Sequence, residues 1–408
     1  MSRESHPSPW LGRFALLSAV ATLLLLGIGG VVTSRGAGMA VPDWPTSYGY
    51  NMFFFPFSYW MGGIFYEHSH RLLASFVGLL VVALTRWLGG RASRRPLAII
   101  GIIELVAGIV LVQMGPDWKG TGHFLAGIGG VVLLAAAAWF RNVPAPKPLP
   151  LLGWIAFFGV QFQGLLGGLR VVLFKNEIGI FHATLAQLFF VLICLIALLS
   201  SPLWPRFRQW TAPSTSGFRG LVTAMTGIIL LQLIIGATMR HQHAGLAIPD
   251  FPLAYGQWWP AIDSESVATY NSQRLEVTAQ NPITAAHVVL QMIHRMVAVL
   301  ILVGVGFVTV RAWRRLGSKH PFTRICLAWS GLMLVQATLG AATIWSNKAA
   351  DLATAHVIFG ALSLALGGLA SFLAFQPSQQ VQPVITPVAG TVPRASLGQH
   401  PSGAMGTI

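Results

Sequence analysis

Apolar runs of about twenty residues alternate with short polar segments along nearly the whole chain. They lie at about 12–32, 68–88, 97–115, 122–140, 151–172, 180–200, 218–238, 284–310, 322–345 and 352–374. Each is close to the roughly 20 residues a helix needs to cross a bilayer. The pattern predicts about ten transmembrane helices, and so an all-α polytopic membrane protein with the lipid bilayer as its partner. Two polar segments are long, at about 33–67 and 239–283. The run that begins near Trp10 reads as a retained helix rather than a cleaved signal. From Gln376 the chain is rich in Pro, Gly, Ser and Gln, which predicts a disordered tail over 376–408.

The pattern repeats. Ala37-Gly38-Met39-Ala40-Val41-Pro42-Asp43-Trp44-Pro45-Thr46-Ser47-Tyr48-Gly49 aligns with Ala244-Gly245-Leu246-Ala247-Ile248-Pro249-Asp250-Phe251-Pro252-Leu253-Ala254-Tyr255-Gly256, eight of thirteen positions being identical. Proline fixes φ, so each Pro-Asp-aromatic-Pro segment should be a stiff loop. Each loop leads to a His-Arg pair at the head of an apolar run: Glu67-His68-Ser69-His70-Arg71, then Gln291-Met292-Ile293-His294-Arg295. Further on, Gln163-Gly164-Leu165-Leu166-Gly167 resembles Gln336-Ala337-Thr338-Leu339-Gly340, and His182 and His356 follow. A duplication this long governs the architecture. It predicts two tandem parallel helical bundles, an N-terminal one over 1–200 and a C-terminal one over 218–375. The helices at 97–141 have no counterpart in the second half and read as an inserted pair, carrying Gln113, His123 and a mid-helix Glu104.

Composition agrees. The chain is 54% hydrophobic and 9% charged over 408 residues, where a soluble domain has about 25% charged residues. The net charge of +15 could suggest nucleic acid, but the basic residues cluster in short loops. They act as topology signals: an inward N-terminus and C-terminus put seventeen of the 26 Lys and Arg residues on the cytoplasmic side. Only Cys194 and Cys326 are present, both within apolar runs, which leaves no disulfide framework or thiolate metal site.

On this topology His70, His182, His294 and His356 share the outer third of the membrane. Two imidazoles facing across a bundle can hold a haem iron from both sides. Two such pairs at matching repeat positions point to haem rather than to four helix–helix hydrogen bonds. His123 has no repeat partner and reads as structural. His287 could reach a macrocycle edge or face the loop. His241 and His243 read as solvated loop residues. Residues three apart share a helix face, so Glu67 points the same way as His70. It can be a proton carrier or an i,i+4 ion-pair partner of Arg71. Asp43 and Asp250 should brace their loops, and Arg35 and Arg240 could face carboxylates of a ligand. These residues leave several functions open: chemistry on a haem, a two-haem b-type carrier of electrons from quinol, or a transporter.

The segments Gly36 to Pro45, Glu67 to Arg71 and Gln163 to Gly168, with the histidines of both halves, resemble the heme A synthase family over most of residues 12–375. The resemblance implies an oxidoreductase of the cytoplasmic (inner) membrane, with N-in and C-in topology, that serves cytochrome oxidase assembly. Its members oxidise a porphyrin methyl of heme O to a formyl group, giving heme A. It implies His294 and His356 as ligands of a resident heme b cofactor. It implies His70 and His182 as ligands of the substrate heme, with Glu67 and His70 catalytic, and a heme O synthase as upstream partner. A homo-oligomer stays open. Many members carry cysteines where Val41, Ser47, Ile248 and Ala254 stand, and most have eight helices. The pair at 97–141 departs from that pattern.

Overall fold

A computed structural model describes residues 8–139, 148–211, 215–273 and 282–376. The tail expected to be disordered lies outside these residues, save Gln376. The helices are α1 (Pro9–Ser34), α2 (Gly62–Gly89), α3 (Arg94–Gln113), α4 (Pro116–Ala137), α5 (Pro148–Leu173), α6 (Asn176–Ser200), α7 (Trp204–Thr211), α8 (Arg219–His241), α9 (Ser264–Ser272), α10 (Ala285–Leu316), α11 (Pro321–Trp345) and α12 (Ala350–Ala374). Nine stretches of the described residues are long and apolar enough to cross a membrane. One of them, Gly62–Gln113, contains both α2 and α3, separated at Gly90 with φ 53°. Ten helices therefore account for the nine stretches, and the protein is an all-α, multi-pass membrane protein.

The helices follow the apolar runs because a bilayer leaves no other way to satisfy the backbone. Their ends depart from the runs where polar chemistry takes over. Proline opens α1, α4 and α11, where its missing N–H costs nothing. Thr284 caps α10 by accepting from the His287 backbone N–H at 3.3 Å. At its other end α10 continues past the apolar run through Arg311, Arg314 and Arg315, whose stems can lie along apolar surface while their heads reach water. The start of α2 is the largest departure. It begins at Gly62, so Glu67 and His70 lie in its second and third turns rather than at its head. The short α7 and α9 lie in polar segments that hydrophobic periodicity does not flag.

In the first half, α1 packs on α2 and α6, and α5 packs on the same two. In the second half, α8 and α11 stand in the same relation to α10 and α12. Equivalent contacts hold each bundle. Thr85 on α2 donates to the Gly153 carbonyl on α5 at 2.9 Å, and Thr309 on α10 donates to the Cys326 carbonyl on α11 at 3.0 Å. The halves meet through α1, α6, α8 and α12. Small residues allow this: a β-carbon at Gly27 or Gly30 of α1 would lie 3.1 Å from Ile358 or Thr354 of α12. Close approach through glycine is the usual way helices associate in lipid, where burial from water adds little. α12 belongs to both apolar cores, Ala361 and Ala365 to the first and Leu364 and Ala370 to the second.

The inserted helices form a tight hairpin. Gly101 and Gly108 of α3 face Gly129 and Gly122 of α4 so closely that a β-carbon at any of them would meet backbone of the other helix. The pair docks on the first half through Leu97, Val132 and Ala136, against Val82 of α2 and Phe157 of α5.

Candidate functional site

The two Pro-Asp loops share the same aspartate brace. Asp43 accepts from the backbone N–H groups of Tyr48 (2.7 Å) and Gly49 (2.8 Å). Asp250 does the same with Tyr255 (2.7 Å) and Gly256 (2.8 Å). Burial pushes the Asp43 carboxyl up, but donors from Gly49, Thr46 and Tyr48 outweigh it and hold it below the ordinary carboxylate range. Both loops contain a cis proline, Pro45 and Pro252. Each is clasped by the arginine of its His-Arg pair. Arg71 donates to the carbonyls of Asp43 (2.7 Å), Thr46 (2.9 Å) and Val41 (2.9 Å). Arg295 donates to those of Leu253 (2.8 Å) and Asp250 (2.6 Å). The His-Arg pair thus has two jobs one residue apart: the arginine ties down the loop and the histidine turns into the bundle.

Glu67 joins this clasp. One carboxylate oxygen accepts from Arg71 at 2.9 Å and the other from the Val41 N–H at 2.9 Å. Gln291 takes the corresponding place, accepting from the Ile248 N–H at 2.7 Å and donating to the Ile248 carbonyl at 3.2 Å. Glu67 is buried and also lines the cavity.

His70, His182, His294 and His356 all line one cavity of about 2030 Å³ that runs through both halves. A pocket for one small ligand is roughly 300–1,000 Å³, so this cavity has at least about twice that volume. Each of the four imidazoles lies against a glycine on the preceding helix of its bundle. A β-carbon at Gly29 would be 3.1 Å from the Cε1 atom of His70, at Gly167 3.5 Å from that of His182, at Gly236 3.3 Å from that of His294, and at Gly340 3.2 Å from that of His356. The repeat therefore fixes the pairing of glycine with histidine, a signal that the sequence reading missed. The rings of His294 and His356 are 6.5 Å apart at their centres. Imidazole nitrogens bind a metal at about 2.0–2.1 Å, so two rings on opposite sides of one iron stand roughly 6 Å apart. His70 and His182 line the first-half side of the same cavity.

The ring nitrogens suit ligation. Among the described residues no hydrogen bond engages Nε2 of any of the four. His356 holds its Nδ1 3.1 Å from the Gln336 carbonyl, the second contact that ordinarily fixes the tautomer of a ligand histidine. The Gln163 carbonyl faces His182 in the same way but outside strict hydrogen-bond geometry. No three His, Cys, Asp or Glu side chains gather around a point among the described residues. Paired histidines in an apolar chamber suit a metal whose other ligands come from a ring cofactor.

Other candidates fall in different places. Arg240 reaches from α8 across to the Gly30 carbonyl and the Ser34 hydroxyl of α1, and it lines the cavity. Arg170 lines it too and was not singled out from the sequence. Arg35 lies over the Tyr66 ring at 4.9 Å, away from the cavity. His287 caps α10 and faces the loop. His241 corrects the expectation of a solvated loop residue: it ends α8, is buried, packs on Gly179 of α6 and lines the cavity. His68 is fully buried between Phe55 (5.0 Å) and Trp60 (4.7 Å), with Nδ1 3.2 Å from the Ser47 hydroxyl. His123 is exposed at the cavity rim, and no described glycine backs it as one backs each of the four. His123→Ala is therefore expected to leave the haem content of the purified protein unchanged. Loss of one haem in a pyridine hemochrome assay would make His123 a ligand.

Comparison with known proteins places this arrangement. Residues 118–367 match the family model described as cytochrome oxidase assembly protein, a stretch that includes His182, His294 and His356. The heme A synthase of Shouchella clausii is 24% identical over 259 residues, 63% of this chain and 68% of that one. That of Rhizorhabdus wittichii is 28% identical over 258 residues, 60% of this chain and 66% of the relative. That of Beijerinckia indica is 32% identical over 215 residues, 50% of this chain and 56% of the relative. With more than half of its length inside the family model, the chain belongs to the cytochrome oxidase assembly protein family, that of the heme A synthases.

Proposed function

We propose that the protein is an oxidoreductase that oxidises a porphyrin methyl of heme O to the formyl group of heme A. The observation that carries this is the repeated glycine-backed histidine pair facing one large cavity. His294 and His356 hold a resident heme b, and His70 and His182 hold the substrate heme. Bound heme b supplies one-electron redox chemistry that no side chain offers. The chain supplies position, dryness and proton handling. Glu67 lies one turn from His70 on the same helix face and lines the cavity. It is the acid of the first half where the second half has Gln291, and it accepts protons released as the methyl loses hydrogen. Arg170 and Arg240 present positive charge to the cavity, where the carboxylates of a haem can meet it. Expression with a heme O source, followed by pigment extraction, tests the reading. Heme A should appear. Two b haems without heme A would favour the electron-carrier reading instead.

The site's place in the membrane follows from the charge bias. The Pro-Asp loops and all four histidines lie toward the outer face of the cytoplasmic membrane, and the α10–α11 turn lies in the cytoplasm. Reporter fusions at Asn51 and Gly317 should read outside and inside. The opposite result would invert the site.

A further inference from the structure

The two halves of the cavity differ in one respect that the repeat does not explain. Gly78 of α2, Gly127 of α4 and Gly164 of α5 all line its first-half side, and a β-carbon at any of them meets no atom within 4 Å. In the second half Leu302 occupies the place of Gly78, Ala337 that of Gly164, and α4 has no counterpart. The three glycines thus face open space on three different helices, and with Gly127 and Gly164 exposed that space opens on the lipid-facing side. Around it stand Leu79, Phe124, Ile128, Val131, Phe162 and Leu165. Its floor is the apolar contact of Val82, Val132 and Phe157. Val82 is twelve residues along α2 from His70, which at 1.5 Å per residue makes the groove about 18 Å long. Its upper end opens into the chamber of His70 and His182, whose Nδ1 atoms are buried without partners.

We propose that this groove takes the prenyl chain of the substrate macrocycle and that the inserted hairpin exists to build its third wall. The proposal rests on the reading above that the first-half chamber binds heme O. A macrocycle fixed by its iron between His70 and His182 leaves a long apolar substituent to be placed. The groove belongs to the same cavity as that chamber and is lined mainly by apolar side chains. α4 docks beside α2 and α5 through Val132 and Ala136, so a chain there has a third wall and one side open to lipid. The second half, which keeps a cofactor without such a chain, has neither the glycines nor the helix.

The test compares heme O with heme B, which has the same ring without the prenyl chain, as added ligands of the detergent-purified protein. Wild type should bind heme O about tenfold or more tighter than heme B at the site that His70→Ala removes. Gly127→Leu and Gly78→Leu each put a side chain into open space, so both should fold and keep the haem that survives purification. Each should lower heme O affinity about tenfold and leave heme B affinity within about twofold. Equal affinities in wild type, or a preference for heme O that survives both substitutions, would overturn the proposal and leave the groove to lipid. If wild type takes up neither macrocycle, the haem reading of the chamber fails and the groove proposal falls with it.

Discussion

On the proposed assignment, replacing His294 or His356 with alanine should strip a heme b that stays bound to the wild type through purification. Replacing His70 or His182 should keep that heme b and abolish conversion of heme O. The halves look equivalent by their histidines, but the structure braces them differently. Gln232 on α8 donates to the His294 carbonyl at 2.9 Å, one turn from the glycine that backs the ring. The corresponding residue on α1 is Leu25, which can brace nothing. His356 holds its Nδ1 3.1 Å from the Gln336 carbonyl, whereas Nδ1 of His70, His182 and His294 finds no bond, so the second half has one braced ring and the first has none. Rigid ligands suit a permanent cofactor, and looser ones suit a molecule that must leave. Losing a supporting contact at a metal site costs roughly 10–100-fold in affinity, and losing the ligand itself costs more. Reduced-minus-oxidised spectra with pigment extraction on the four variants decide the matter. First-half variants that lose heme b while second-half variants keep it would reverse the assignment. Equal loss in all four would mean that the halves bind as one unit.

Much of this is legible in the sequence. A bilayer imposes helix length, so ten apolar runs become ten helices, and the Pro-Asp loops repeat closely enough for their brace to be expected at Asp43 and Asp250. The missed features share a cause. Gly29, Gly167, Gly236 and Gly340 pass for the ordinary small residues of membrane helices until the imidazoles are placed beside them. His241 follows Arg240 at the end of an apolar run and looks like the first residue of a loop, but α8 continues through it and buries it against Gly179. The sequence shows Arg71 as a partner of Glu67 but not that Arg71 and Arg295 each donate to the carbonyls of their own loop. The start of α2 precedes its apolar run because Gly62, Gly63 and the aromatic Tyr66 carry no amphipathic period.

Glu67→Gln should leave the fold and haem binding in place and cut heme A formation by about 10²-fold or more, the scale of a lost general acid or base. Gln291 makes this a clean substitution. A glutamine at the matching position of the second half already accepts from the backbone N–H of Ile248, so the amide introduced by the substitution can accept from Val41. What disappears is a proton site and the charge opposite Arg71. That arginine keeps three carbonyl acceptors. The fold should therefore lose on the order of 1–3 kcal/mol, the scale of one charge-assisted hydrogen bond, and not collapse. A purely structural Glu67 predicts a similar fall in melting temperature but with heme A yield per folded molecule intact. Measuring both on one preparation separates the two roles. Glu67→Asp adds a further control, since it restores an acid on a shorter stem and should recover part of the turnover with an altered pH profile. Normal heme A yield from Glu67→Gln would leave the carboxylate as a clamp on its loop, the same role Gln291 plays in the second half.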